Sequence, residues 1–235
     1  MGELLYEGKA KQVYATDDSA IVMVHYKDDA TALNGLKKGT IAGKGAINNR
    51  MSNSMFQLME QNGIPTHLVK QLNERDTLVK RVEIVPLEVI VRNVAAGSLA
   101  GRLGVPEGTP MDPVVLEFCY KNDELGDPMV NTSHILAAKL ATRQEVETLQ
   151  KLALAVNQVL KARLLEARLR LIDFKIEFGR LPDGTIILAD EISPDTCRLW
   201  DVDTDEKLDK DRFRRDLGDT EEAYQEVMRR LGLEA

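Results

Sequence analysis

The sequence predicts an α+β fold with two lobes, a β-rich lobe over residues 1–83 and a larger α/β lobe over residues 84–235. Three observations support this class. Segments near both ends of the chain alternate apolar and polar residues with the period of two that is typical of β-strands. Two longer segments carry apolar residues at helical spacing. Two apolar runs, residues 78–79 and 84–91, are joined through residues 80–83, where we place the interdomain hinge, and Pro86 predicts a break or an edge.

The composition predicts a soluble cytoplasmic protein. Hydrophobic residues make up 43% of the 235 residues and charged residues 29%, which is ordinary for a globular protein. The net charge of −7 argues against nucleic-acid binding, because phosphate backbones require a basic patch. No run reaches the roughly 18 apolar residues of a membrane span, and the charged start is unlike a signal peptide. Cys119 and Cys197 lack metal-binding spacing, so we expect free thiols in a reducing compartment.

The first 24 residues predict a β-hairpin or meander with a tight turn at Gly8. Lys9 and Lys11 follow this turn. Backbone amides and ammonium groups at such a turn can both face a polyphosphate. Surface lysines beside a turn are also common, and the residues alone leave both interpretations open.

Two segments, residues 40–62 and 142–169, predict amphipathic helices. In the first, a methionine-rich stripe indicates packing in the core rather than a cofactor site. In the second, Thr142 and Glu145 form a capping box. Six apolar residues then trace one face of this helix: Val146, Leu149, Ala153, Val156, Leu160 and Leu164.

Shorter segments contain candidate binding residues. Gly97 and Ser98 precede a short helical run in an N-cap arrangement, which suits phosphate binding but is also the place of an ordinary serine cap. Residues 120–133 are rich in Asn, Asp, Gly and Pro and predict a mobile surface loop. Residues 209–215 predict a short basic helix, and Asp219 is expected to cap the last helix.

Residues 171–201 are the most informative stretch. The first half alternates strictly, and a turn at Gly184 predicts a hairpin with a second strand over residues 185–192. Closely spaced carboxylates repel one another unless cations lie between them, and oxygen ligands suit Mg²⁺ with bound phosphate. The alternative is a solvated strand face with cross-strand ion pairs. The polar candidates are Asp173, Lys175, Glu177, Asp190 and Glu191.

Two motifs in this stretch, DFKIEFG at residues 173–179 and DEISPDTCRLWD at residues 190–201, resemble the signatures of the SAICAR synthetase family. Matching segments recur from Tyr6 to Leu231. The resemblance implies a two-lobed fold like that of kinases and ATP-grasp proteins, with the active site between the lobes, and a homodimer. It also implies an ATP-dependent ligase of purine biosynthesis. Such an enzyme activates carboxyaminoimidazole ribonucleotide as an acyl phosphate and joins it to L-aspartate, giving ADP and phosphate.

The same resemblance assigns residues to roles. Arg92, Ser98 and Arg198 would hold the ribose 5-phosphate of the substrate. Asp173, Lys175, Glu177 and Asp190 would form the catalytic set, with Mg²⁺ on Glu177 and Asp190. The ATP site would comprise the two metal ligands together with Gly8, Lys9, Ala10, Lys11, Lys80, Arg81, Val82 and Ile84. The substrate site would comprise Arg92, Gly97, Ser98, Lys121, Asp127, Asp173, Lys175, Asp195, Arg198, Lys210 and Arg214.

Two other functions are weighed. A small-molecule kinase of related lobe architecture would share the lysines and acids, but it would release a stable phosphoester and need no aspartate. A non-catalytic nucleotide-binding protein would tolerate loss of the acids, which are intact here. A protein kinase is not indicated, because the HRD motif is missing and Asp173-Phe174-Lys175 is not DFG. None of these arguments assigns the base that deprotonates the aspartate amine.

Overall fold

The computed structural model describes residues 2–32 and 37–234. The strands in chain order are β1 (Leu4–Glu7), β2 (Lys11–Ala15), β3 (Ile21–Tyr26), β4 (Asp29–Ala32), β5 (Lys37–Thr40), β6 (Leu68–Gln71), β7 (Asp76–Lys80), β8 (Glu83–Ile84), β9 (Leu87–Val94), β10 (Pro110–Tyr120), β11 (Met129–Val130), β12 (Leu169–Arg180), β13 (Ile186–Ala189) and β14 (Cys197–Asp201). The helices are α1 (Lys44–Gln61), α2 (Ser98–Leu103), α3 (Thr132–Ala137), α4 (Arg143–Glu166), α5 (Asp211–Arg214) and α6 (Thr220–Leu231).

The amino-terminal strands form an antiparallel sheet in the order β1-β2-β3-β7-β6. The predicted hairpin or meander is therefore confirmed. The Gly8 N–H donates to the Lys11 carbonyl at 2.8 Å and closes the turn between β1 and β2. Lys9 lies at the tip of this turn, and Lys11 begins the second strand, where its side chain is fixed by the pleat.

The second sheet runs β11-β10-β9-β12-β13, and β8 and β14 also pair with β12. The long strand β12 is thus the centre of this sheet. Its register places Asp173 opposite Arg92 of β9 and Glu177 opposite Ala189 of β13. The predicted turn is confirmed, with Gly184 at φ 86°. The predicted break is confirmed as well, since Pro86 separates β8 from β9.

One hydrophobic core joins the second sheet to the two long helices. The capping box of α4 is confirmed, because the Thr142 side chain accepts from the Glu145 N–H and Glu145 accepts from the Thr142 N–H. All six residues of the predicted α4 face are buried. The methionine stripe of α1 enters the same core, with Met51 and Met59 fully buried. Each such side chain contributes roughly 1.5–3 kcal/mol by leaving water.

Several predicted boundaries are wrong. Helix α1 begins at Lys44 rather than residue 40, because residues 37–40 pair with β4 instead. Residues 120–133 are not simply a loop, since they contain a short 3₁₀ turn, β11 and the start of α3. The second strand of the hairpin ends at Ala189. Asp219 stands at the N-cap of α6 with a left-handed φ of 49°, but its side chain makes no capping hydrogen bond.

Both cysteines are free and buried. Among the described residues, no helix has the length and apolar character needed to cross a membrane.

Candidate active site

A cleft of about 690 Å³ opens between the β1–β2 turn and the end of the β12–β13 hairpin. The walls come from both sheets. Every residue predicted for the ATP site lines this cleft: Gly8, Lys9, Ala10, Lys11, Lys80, Arg81, Val82, Ile84, Glu177 and Asp190. The residues predicted from the sequence to bind ATP therefore lie together in the fold.

The connection between the sheets forms one side of the cleft. Its backbone is held at Arg81, whose N–H donates to the Ala20 carbonyl at 2.7 Å. Val82 packs directly over Gly179, because a Cβ on Gly179 would lie 2.3 Å from Val82 Cγ2. The glycine that ends the DFKIEFG motif therefore lets the connection lie against β12.

Two acidic side chains meet at the floor of the cleft. Glu177 lies on β12, and Asp190 follows β13 with a left-handed φ of 61°. Both are surrounded by lysines. Lys121 Nζ lies 2.5 Å from Glu177 Oε2, Lys175 Nζ lies 3.7 Å from Glu177 Oε1, and Lys11 contacts Asp190 directly. We call Lys11, Lys121, Lys175, Glu177 and Asp190 the lysine–carboxylate cluster.

The pKa values of Glu177 and Asp190 are shifted in opposite directions. Burial raises the pKa of Glu177, and the neighbouring Asp190 raises it further against the opposing effect of Lys175 and Lys121. For Asp190, burial acts in the same direction, but Lys11, Lys121 and Lys175 outweigh it and hold its pKa below the ordinary value. Conversely, Asp190 and Glu191 overcome burial and raise the pKa of Lys11. The lysines therefore stay charged at neutral pH.

The donor set fits Mg²⁺ when it is bound together with phosphate. Mg²⁺ in nucleotide sites takes one or two carboxylates, phosphate oxygens and water. Glu177 and Asp190 supply two such carboxylates, and Asp190 raises the pKa of Glu177 in addition to the effect of burial, so a cation between the two acids would relieve their repulsion. No group of three or more potential metal-binding side chains occurs among the described residues, so the protein alone offers no complete cage.

Glu191 lies outside this donor pair. Its carboxylate is buried, receives a hydrogen bond from Ser193 Oγ at 2.6 Å and lies 2.7 Å from Lys11 Nζ. Lys11 also lies 5.1 Å from the centre of the Tyr26 ring. Asp190 and Glu191 both line the cleft and both pair with Lys11, but Glu191 is also held by Ser193 and lies on the side of Lys11.

The two lysines of the turn have different surroundings. Lys9 is half exposed and pairs with Asp123 at 2.7 Å, across the mouth of the cleft. Lys11 is only 15% exposed and lies among acids. Asp127, another predicted substrate residue, also lines the cleft, and its carboxylate accepts from the Asn122 N–H at 2.9 Å.

A second, smaller cavity of about 120 Å³ lies beside the first. It is an arginine pocket. Arg92 and Arg198 both donate to Asp173 Oδ2, at 2.9 Å and 2.7 Å. Arg198 also donates through Nε to Asp211 at 2.8 Å, and Asp211 accepts from Arg214 at 2.7 Å. The acids hold each guanidinium in place.

Two predicted substrate residues border this pocket. Gly97 has a φ of 51°, and a Cβ there would lie 2.6 Å from Arg198 Nη2, so the position requires glycine. The prediction that Ser98 caps the next helix is wrong. Gly97 occupies the cap position, and Ser98 Oγ lies 3.5 Å from Arg92 Nη2 instead.

Asp173 and Glu177 are both almost completely buried, so the alternative of a solvated strand face is wrong. The cross-strand ion pairs of that alternative are present: Asp173 faces Arg92, and Lys175 lies 2.5 Å from Glu88. These pairs are internal to the protein.

Asp195 joins the two cavities. Its side chain is buried, and Asp195, Thr196, Lys175 and Arg214 line both of them. Its carboxylate accepts from Tyr224 at 2.6 Å and lies 2.9 Å from Lys44 and 3.2 Å from Lys210. Both carboxylate oxygens are therefore occupied by protein donors.

Five partners of the predicted residues were not predicted from the sequence: Lys44, Glu88, Asp211, Tyr224 and Glu117, which accepts from Arg92 at 2.7 Å. Alternation in β9 would have placed Glu88 on the face of Arg92, since Val89 and Val91 point into the core. The Lys44 and Tyr224 contacts join positions 151 and 29 residues apart in sequence, and no local pattern signals them.

Known proteins that are similar to this chain carry the name of the same family. A sequence profile described as SAICAR synthetase matches residues 4–231. The phosphoribosylaminoimidazole-succinocarboxamide synthase of Coprothermobacter proteolyticus is 62% identical over 98% of both chains. The crystal structure of the synthase of that name from Ehrlichia chaffeensis superimposes with a TM-score of 0.97 at 44% identity, covering 99% of this chain and 100% of that one. A structure described as a type-2 SAICAR synthetase in complex with ADP gives 0.95 at 46% identity, covering 99% and 98%.

Proposed function

The chain belongs to the SAICAR synthetase family, and we propose from this premise how its two cavities divide the reaction. The reaction is the ATP-dependent ligation of L-aspartate to the carboxylate of carboxyaminoimidazole ribonucleotide, a step of purine biosynthesis. Its products are SAICAR, ADP and phosphate. The nucleotide occupies the larger cleft, and the ribonucleotide occupies the arginine pocket.

One observation supports this division more than any other: the two cavities share walls. Lys175, Asp195, Thr196 and Arg214 line both. A triphosphate on the lysine–carboxylate cluster and an imidazole carboxylate at Lys175 would therefore meet at a common boundary. Bringing two reactants together in this way is a large part of what an enzyme supplies to a two-substrate step.

The arginine pocket suits the phosphate end of the ribonucleotide. Arginine presents a planar fork of donors that matches phosphate in two contacts. Arg92 and Arg198 are already oriented by Asp173, so little conformational freedom is lost on binding. Ser98 beside Arg92 adds a hydroxyl donor.

Phosphoryl transfer takes place where the cavities meet. A carboxylate is a poor electrophile because its negative charge repels a nucleophile, and its phosphorylation creates a mixed anhydride with a good leaving group. Lys11, Lys121 and Lys175 neutralise the charge that develops on the transferred group. Each of the three is directed by an acid, Lys11 by Asp190 and Glu191, Lys121 by Glu177 and Lys175 by Glu88.

Glu177 and Asp190 would hold Mg²⁺ together with the triphosphate. The ion would supply further charge neutralisation at the β- and γ-phosphates. On the opposite side, the backbone of residues 81–84 would hold the adenine at the hinge between the two lobes. The two-lobed kinase-like arrangement, the homodimer and the cytoplasmic location remain predictions from the resemblance.

A small-molecule kinase is not favoured, because the relatives of this chain are named as synthases over its whole length. ADP release tests the proposal directly. We expect ADP formation only when ATP, the ribonucleotide and aspartate are all present, with one SAICAR formed for each ADP. ADP release of equal rate without aspartate, accompanied by a stable phosphorylated product, would instead identify a kinase.

A further inference from the structure

The amine of aspartate must lose its protons before an amide can form, and the reaction thus requires a proton acceptor near the acyl phosphate. We propose that Lys210 is this general base. The assignment rests on the proposed function, since it concerns the second half of the ligation.

Lys210 lies in the right place. It lines the larger cleft beside Asp195, Thr196 and Arg214, the residues at the boundary of the two cavities. Its side chain is only 13% exposed. Aspartate must approach the activated carboxylate at this boundary, so an acceptor on the wall there can reach its amine.

The ion pairing of Lys210 is unlike that of the other cleft lysines. Among the described residues, Asp195 is the only acid within 4 Å of Lys210, at 3.2 Å, and it is shared. Lys44 is nearer to the same oxygen, at 2.9 Å, and is completely buried. Tyr224 donates to the other oxygen at 2.6 Å. One negative charge therefore serves two ammonium groups and a phenol.

The remaining charged groups around Lys210 do not compensate. Lys44 comes from α1, Asp195 from the β13–β14 connection, Arg214 from α5 and Tyr224 from α6. Of these only Asp195 is negative. The two acids that flank Lys210 in sequence have other partners: Asp211 accepts from Arg198 and Arg214, and Asp209 accepts from the N–H groups of Leu199 and Asp211. Burial lowers the pKa of Lys210, and Lys44 and Arg214 lower it further against the attraction of Asp195.

The other lysines of the cleft are less suited to accept a proton. Glu177 and Glu88 overcome burial and raise the pKa of Lys175, and Glu177 and Asp190 do the same for Lys121. These lysines remain ammonium groups that stabilise charge. Lys210 differs from these two lysines because its surroundings lower the pKa, so its ammonium group gives up a proton more readily than theirs.

The step balances with no further reactant. Uncharged Lys210 Nζ takes one proton from the α-ammonium of aspartate. The lone pair freed on nitrogen forms the C–N bond to the acyl carbon. The C–O bond to the phosphoryl group breaks, its electron pair leaves with inorganic phosphate, and the phosphate takes the second proton of the amine. Lys210 ends as an ammonium group and returns its proton to solvent.

Lys210→Arg provides the main test. Arginine keeps the positive charge beside Asp195, but it cannot act as a base at neutral pH. With aspartate, we expect kcat to fall about 100-fold or more, which is the usual contribution of a general base. Hydroxylamine, an amine already uncharged at neutral pH, should trap the acyl phosphate as a hydroxamate at nearly the rate of the parent enzyme. Lys207→Arg, which changes a lysine outside both cavities, is the matched control and should leave both rates unchanged.

A second variant tests the charge argument while keeping Lys210. Lys44→Met leaves Asp195 to Lys210 and Tyr224, so the ammonium form of Lys210 is stabilised. The kcat/KM for aspartate falls at low pH as the base becomes protonated, and in this variant the midpoint of that fall should move to higher pH.

The outcomes are distinct. Equal loss of the aspartate and hydroxylamine reactions in Lys210→Arg, or retention of both, overturns the assignment, and so does an unmoved midpoint in Lys44→Met. Failure of the parent enzyme to form SAICAR from aspartate would refute the proposed function itself, whatever the variants do.

Discussion

The lysine–carboxylate cluster and the arginine pocket lie side by side, and they solve the problem of buried charge differently. In the pocket, Asp173 bridges two arginines and Asp211 bridges two, so each acid is enclosed by guanidinium groups. In the cluster, two acids lie together, and the pKa of Glu177 is raised by burial and by Asp190. Cations separate the acids of the pocket, whereas the two acids of the cluster repel each other in spite of the three lysines around them.

The difference suits the two tasks. A ribose phosphate keeps its place during the reaction, and a guanidinium fork fixed by acids recognises it with defined geometry. A γ-phosphoryl group moves during the reaction. Ammonium groups are compact charges on flexible stems and can follow it, and a carboxylate pair can take up the Mg²⁺ that arrives with ATP.

The largest effect is expected when the carboxylate of Glu177 is removed. Glu177→Gln keeps the shape of the side chain and deletes one negative charge. ADP formation should fall by about 1000-fold, because a ligand of Mg²⁺ and the partner of Lys121 are lost together. ADP release across a range of Mg²⁺ concentrations measures this effect.

The same variant separates the metal interpretation from a structural one. Since Glu177 is repelled by Asp190 in the absence of metal, the variant should be no less stable than the parent in chelator. A purely structural Glu177 would instead destabilise the variant by about 3–5 kcal/mol, because a buried ion pair is broken, and activity would be kept. A destabilised but active protein in thermal melts would therefore refute the metal assignment.

Next in size is the contrast between the two lysines of the β1–β2 turn. Lys11→Ala removes a largely enclosed cation held by Asp190 and Glu191, and kcat/KM for ATP should fall by about 100-fold, equivalent to about 2.7 kcal/mol. Lys9→Ala removes a half-exposed lysine paired with Asp123, and the loss should stay within about threefold. Steady-state kinetics with varied ATP compares the two directly. Equal losses would show that both lysines bind the triphosphate.

The arginine pocket should respond through substrate binding. Arg198→Lys keeps the charge but cannot contact Asp173, Asp211 and a phosphate at once, so KM for the ribonucleotide should rise about tenfold. Gly97→Ala should act similarly without changing charge, because its Cβ would lie 2.6 Å from Arg198 Nη2. An unchanged KM in both variants would assign Arg198 a purely structural role.

Sequence patterns predicted most of what is local in this molecule. The alternation of β12, the capping box of α4 and the glycine turns depend on residues a few positions apart, and the structure confirms them. The position of Asp190 next to Glu177 follows from a hairpin, which is also a short-range feature. The resemblance to a family supplied the distant residues of both cavities.

The missed features depend on distant contacts or on irregular backbone. β10 was not predicted, because its 11 residues begin with Pro110 and contain Pro113, which are unfavourable in a strand. The serine cap was wrong because Ser98 is already the first residue of α2 and Gly97 takes the cap position. The pairing of Lys44 with Asp195 joins α1 to the β13–β14 connection. This contact depends on how α1 packs in the core, which no local sequence pattern predicts.

The smallest expected effect concerns an acid behind the arginine pocket. Asp209 is buried, accepts the N–H groups of Leu199 and Asp211 at 2.8 Å and 2.7 Å, and has no Lys or Arg partner within 4 Å among the described residues. Burial and then Asp211 raise its pKa from 3.8 to about 7. The folded protein therefore binds this proton more tightly than the unfolded chain, and the contribution to stability is lost as pH rises from about 4 to about 7.

Asp209→Asn removes the titration, so the Tm of the variant relative to the parent should rise over that range and level off above it. One pKa unit corresponds to about 1.4 kcal/mol, and for a chain of this size 1 kcal/mol shifts Tm by about 2–4 °C. Thermal melts at closely spaced pH values measure the difference. A Tm difference that is constant with pH would show that Asp209 is ionised throughout, and that the arginines neutralise it as fully as they do Asp173 and Asp211.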